Sequence, residues 1–174
     1  MDEEIKKEFE KVWKKLGDIE GKINEKNFSQ EKQELKSPED NNFEEKILKF
    51  CNELDIERKD FDLICYLRNK EIFLLKPIEG KNESERQVKT SLVLLTIKDS
   101  LFDDDFIGSS EISTVLMKLG IKSISNLSTN LNKERRFFIP EGVKASKKFG
   151  FRITVPGKIE GKKIIKSFLE KDGA

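Results

Sequence analysis

Between Leu131 and Phe149 the spacing of apolar residues changes period, and this change restricts the folds open to the chain. Ahead of it, Ile112, Val115, Leu116 and Leu119, then Ile124, Leu127 and Leu131, recur at helical spacing. Beyond it, Phe149, Phe151, Ile153 and Val155 alternate with Gly150, Arg152 and Thr154, the repeat of a half-buried strand. A chain whose apolar residues recur mostly at helical spacing and alternate only briefly is mainly α with a small β-hairpin. "RRFFI" at Arg135–Ile139 is the expected hairpin partner, and "PEGVKASKK" the loop between the two strands.

Punctuation residues divide the helical part. Asn82, with Glu85 three residues on, caps a helix whose stripe is Val88, Leu92, Leu95 and Phe102. Ser109 or Ser110 caps the next, with Glu111 in its first turn suiting the helix dipole. Gly120 ends it in a left-handed turn. Ser123 caps a third helix. "GKIEGKKIIKSFLE" closes the chain as a helix with Ile164, Ile165 and Phe168 inward.

Upstream, Ile5, Phe9, Val12, Leu16, Ile19 and Ile23 fall on one helical seam of heptad type. The seam fits an oligomerising coiled coil and a helix packed within its own domain about equally. Gly17 and Gly21 each cost a helix interior about 1 kcal/mol relative to Ala. Residues 1–26 are thus an amphipathic or coiled-coil helix, and 27–42 a polar linker. Residues 43–80 read as a small α(+β) segment of unassigned role: a helix carrying Phe43, Ile47, Phe50, Cys51 and Leu54, then a short helix in "KDFDLICYLRNK" followed by a strand at Glu71–Lys76, closed by Pro77 and Gly80. A fragment from about Asn82 onward is expected to fold alone, because the apolar faces of the last four segments lie inside it.

Several functions lose ground on composition. There is no histidine, which removes imidazole acid–base chemistry and His metal ligands. Two cysteines, Cys51 and Cys65, make neither a zinc framework nor a disulfide scaffold and suit a reducing cytoplasm. No membrane span or secretory leader is legible. The Asp103–Asp105 run has no second carboxylate cluster near it in sequence and reads as a solvated loop. The expectation is a non-enzyme with no cofactor and no metal, located in the cytoplasm.

Charge adds a partner class. Residues 108–174 hold 14 Lys/Arg and 6 Asp/Glu, net +8, whereas residues 1–107 hold 20 and 27, net −7. Such asymmetry suggests a basic face for a polyanion.

Helix, helix, Gly-containing turn, helix and basic hairpin together resemble the winged helix-turn-helix superfamily, over about Asn82–Ala174. "SSEISTVLMKLGIKSISNLSTNLNK" looks like its helix-turn-helix and "RRFFIPEGVKASKKFGFRITVPG" like its wing. The resemblance implies a winged helix-turn-helix domain at 81–174 that binds double-stranded DNA, as a transcriptional regulator or nucleoid-type protein. Opposite the buried arc of the third helix (123–133) lie Ser125, Asn126, Thr129, Asn132 and Lys133, short polar groups suited to base edges. Arg135, Arg136, Lys144, Lys147, Lys148 and Arg152 suit phosphates across the wing, 135–152. The alternative is a protein-interaction module on the same scaffold, docking an acidic partner. A homo-oligomer through residues 5–23 would pair two such modules.

Overall fold

The structure is a computed structural model that describes residues 38–68, 71–143 and 148–172. The seam Ile5–Ile23, most of the polar linker, and Lys144 and Lys147 lie outside the described residues. Residues 42–174 make a compact unit of their own. Its described part is mostly helical, with six α-helices and two small antiparallel sheets. None of these helices is long and apolar enough to cross a membrane.

Helix α1 runs Pro38–Leu54. It begins inside the stretch expected to be linker. Proline has no N–H to lose in a first turn, and its preset φ suits that position. Ile47, Phe50, Cys51 and Leu54 are buried, as their spacing predicts. Helix α2 (Arg58–Ile64) leads directly into strand β1 (Cys65–Arg68), which pairs antiparallel with β2 (Glu71–Leu74), Cys65 opposite Leu74. Strand β2 stops two residues short of its expected end at Lys76, and β1 has no counterpart among the expected elements.

Helix α3, Glu83–Phe102, is the axis of the unit. Its cap is the expected one: Asn82 Oδ1 accepts the Glu85 N–H at 2.9 Å. Every residue from Thr90 to Ile97 is buried. A helix enclosed on all sides has no single apolar stripe, so the four-residue stripe understates it.

Strand β3 (Phe106–Gly108), helix α4 (Ser109–Lys118), a 3-10 turn (Ile124–Asn126) and helix α5 (Leu127–Lys133) follow. Strands β4 (Phe138–Glu141) and β5 (Gly150–Ile153) then complete a three-stranded sheet in the order β3-β5-β4. Phe151 of the central strand lies between Ile107 and Pro140, and Phe138 is opposite Ile153. The expected two-stranded hairpin is therefore one part of a larger sheet.

Two boundaries also move. Arg135–Phe137 form a turn, with the Phe137 N–H on Glu134 O at 2.8 Å, so β4 starts at Phe138. Val155 is exposed and opens helix α6 (Val155–Asp172) instead of extending β5. Thr154 caps that helix, its Oγ1 accepting the Gly157 N–H at 3.1 Å. Pro156 sits in the first turn, where no N–H is needed.

One buried cluster extends from Ile47 to Ile165 and takes in α1, α2, the first hairpin, α3, the sheet and α6. Phe43 of α1 stacks on Phe102 of α3 at 5.4 Å between ring centres. Lys162 of α6 reaches Glu53 at 2.6 Å. The 43–80 segment thus shares the core of 81–174, and the expectation that a fragment from Asn82 carries its own apolar faces is corrected accordingly.

Candidate nucleic-acid interface

The turn between α4 and α5 is built by its end groups. After the last residue of α4, Gly120 takes φ +71°, a conformation that glycine adopts without steric cost. The Gly120 N–H then reaches Met117 O and the Ile121 N–H reaches Leu116 O, both at 3.0 Å. This paired closure satisfies two end carbonyls and tucks Ile121 into the core beside the buried Leu116. The expected serine caps are absent here: Gly108 precedes α4, and Ser123, at φ 60°, makes no side-chain cap.

Leu127 and Leu131 anchor α5 in the core. At 100° per residue, Thr129 and Lys133 face away from them, and both are exposed. Ser125 and Asn126, in the 3-10 turn that leads into α5, are exposed as well. Asn132 differs from the expectation: it is half-buried on the flank, and its Nδ2 donates to Ser128 O at 2.7 Å.

Arg135 and Arg136 are exposed on the turn after α5. That turn is held from β5's end, since Thr154 Oγ1 donates to Arg136 O at 2.6 Å and the Thr154 N–H to Phe137 O at 3.0 Å. The Arg136 guanidinium lies 5.5 Å from the centre of the Phe137 ring. Glu134 brings one carboxylate into the same region. Lys148 is exposed at the foot of the loop before β5.

Arg152 does not join this group. Its Nε and Nη2 each lie 2.8 Å from Glu141 Oε2, and Nη1 pairs with Asp105. The bond from Arg152 holds the Glu141 carboxyl below its ordinary range, and the same pairing raises the guanidinium. A guanidinium between two carboxylates is already neutralised, which sets it apart from a phosphate-contacting arginine.

The charge split is likewise consumed in part by folding. Helix α6 turns Lys158 to Asp99 at 2.7 Å, Lys162 to Glu53 at 2.6 Å and Lys166 to Asp55 at 3.6 Å. The basic C-terminal helix thus lies against acidic groups of the first half. Lys122, Lys133, Arg135 and Arg136, which surround α5, have no ion pair to a carboxylate among the described residues, and Lys49, Arg68, Lys81, Arg86 and Lys118 elsewhere have none either.

The Asp103–Asp105 run is divided among three cations. Asp103 pairs with Lys46 at 2.5 Å, Asp104 with Lys98 at 3.1 Å, and Asp105 with Arg152. The described residues contain no group of three or more potential metal ligands.

Two residues outside the expected site hold α5 and the turn before it in place. Gln87 of α3 is 1% exposed and bonds both the turn and α5. Asn130, turned inward, is its partner on α5. Gln87 lies in the polar stretch ESERQVKTS, so nothing in the sequence marks its amide as buried and in need of partners. No family model, curated protein or solved structure matches this chain.

Proposed function

We propose that residues 81–174 are a winged helix-turn-helix module that binds double-stranded DNA, with α5 as its recognition helix. The observation that carries the reading is a group of cations without carboxylate partners around one polar helix face. Arg152, Lys158, Lys162, Lys163 and Lys166 each have a carboxylate partner. Lys122, Lys133, Arg135 and Arg136, around the polar face of α5, have none among the described residues. The order of elements supports it too. Helices α4 and α5 meet at a tight turn, and the hairpin that follows returns its second strand beside β3, next to the start of α4.

Ser125, Asn126 and Thr129 stand at the N-terminal end of α5, the end that approaches base edges when such a helix enters the major groove. Asn126 and Thr129 offer neutral donors and acceptors there, and Lys133, Arg135 and Arg136 supply phosphate contacts. The biological setting that fits is a transcriptional regulator or a nucleoid-type protein.

Binding to a selected duplex and to random duplex across a salt series tests this. Changing Lys133, Arg135 and Arg136 together to Gln should lower the magnitude of the slope of log affinity against log salt by about 0.9 for each phosphate no longer neutralised, alike on both duplexes. Asn126→Ala with Thr129→Ala should keep the slope and cost about 1–3 kcal/mol on the selected duplex alone. A slope that the triple substitution leaves unchanged overturns the reading.

A further inference from the structure

We propose that Gln87 is the positioning residue of α5, joining the central helix to the turn and the outward face that reads DNA; this rests on the proposed role of α5. A buried amide has two donors and an acceptor to satisfy, and Gln87 places all three on one neighbourhood. Its Nε2 donates to Ser123 O at 3.3 Å and to Lys122 O at 3.4 Å. Its Oε1 accepts from Asn130 Nδ2 at 2.8 Å. The first two bonds hold the backbone just before the 3-10 turn, and the third holds α5 one residue past Thr129.

The geometry needs such a device. Helix α5 is only seven residues long and has two buried anchors, Leu127 and Leu131. Two apolar anchors four residues apart give a short helix a line of contact, about which it can still rock. Asn130 lies to one side of that line, about 60° from Leu127 on the helix circumference at 100° per residue. A directional bond there resists rotation, which dispersion contacts do not. Gln87 itself sits in the second turn of α3, a helix wholly enclosed a few residues further on, so the fixed end of the link is rigid. The link thus sets the angle at which Asn126 and Thr129 are presented, while leaving the phosphate-facing Arg135 and Arg136 to the separate clamp from Thr154.

The full chain is compared with Gln87→Met, which keeps volume but no amide, and with Asn130→Ala at a half-buried site, where folding is safer. Amide exchange should show residues 124–133 losing protection about tenfold while Leu92–Ile97 keep theirs. The preference for a selected site over random duplex should fall by about 5- to 150-fold, the worth of one direct base contact. The salt slope should not change. Unchanged exchange at 124–133 in both variants overturns the proposal. So does a loss shared equally with Leu92–Ile97, which marks general destabilisation. A loosened α5 with full discrimination, or an unmodified protein that holds all duplexes alike, also overturns it. A protein that binds no duplex sinks the DNA reading instead, and amide exchange then decides alone whether Gln87 holds α5.

Discussion

Gly161→Ala tests the packing on which the whole unit depends. Gly161 lies where α6 crosses α3, and a methyl group there would run into Thr96 Oγ1 and come within 2.9 Å of the Leu92 carbonyl oxygen. Thr96 Cβ would stand 3.0 Å away. In an exposed helix the exchange would gain about 1 kcal/mol of helix propensity. Here the methyl group meets a backbone oxygen that cannot rotate aside, in the contact between the enclosed α3 and the last helix. Overpacking of this kind costs about 1–3 kcal/mol and occasionally more. The helices must separate by several tenths of an ångström along a buried seam, which puts the steric cost in the upper part of that range, about 2–3 kcal/mol, for a net loss of about 1–2 kcal/mol.

Thermal unfolding would read that as a fall of about 3–10 °C, at a few degrees per kcal/mol for a unit of this size. Thr96→Ala provides the control. Thr96 Oγ1 is buried without a hydrogen-bond partner, so removing it deletes both the worst clash and an unsatisfied hydroxyl. The double variant should therefore be more stable than the sum of the two singles by about 1 kcal/mol. A Gly161→Ala protein that melts at or above the parent temperature would refute the reasoning, because propensity would then outweigh the contact.

A fragment from Asn82 should lack native-like amide protection, whereas one from Asn42 should retain it. Burial of Phe50, Phe61 and Ile64 alone contributes about 1.5–3 kcal/mol each, a large share of the 5–15 kcal/mol typical of a domain. Both cysteines should resist thiol reagents at pH 8 until the protein unfolds. Burial pushes the Cys65 thiol up to about 12, leaving roughly one part in ten thousand as thiolate, and burial raises Cys51 as well. Because the folded state keeps the Cys65 proton that the unfolded chain releases above about pH 8.5, stability should fall as pH rises from there towards 12. A denaturation series from pH 7 to 11 with a flat midpoint would contradict this assignment.

Features set by neighbours along the chain were legible without the fold. Apolar period placed the helices that carry Phe50, Leu95, Leu116, Leu131 and Ile165, because a helix face or a strand face must repeat at its own spacing. Asn82 and Gly120 were legible because a cap and a left-handed turn are demands of the backbone within a few residues. The exposed polar face of α5 followed from the same geometry. Packing decided the rest. Strand β3, three residues long, has no period of its own and exists only because β5 supplies its partner. Arg152 alternates like an outward wing cation, but the fold brings Asp105 and Glu141 to it from distant positions. The net charges of +8 and −7 were countable, yet only the packing of α6 on α3 brought Lys158, Lys162 and Lys166 to the carboxylates of Asp99, Glu53 and Asp55. Gln87 shows the difference most plainly: its helix was foreseen, but hydrogen-bond partners 35 to 43 residues away depend on packing. Short-range sterics act along the chain and can be read there, whereas pairing across the core depends on which surfaces meet.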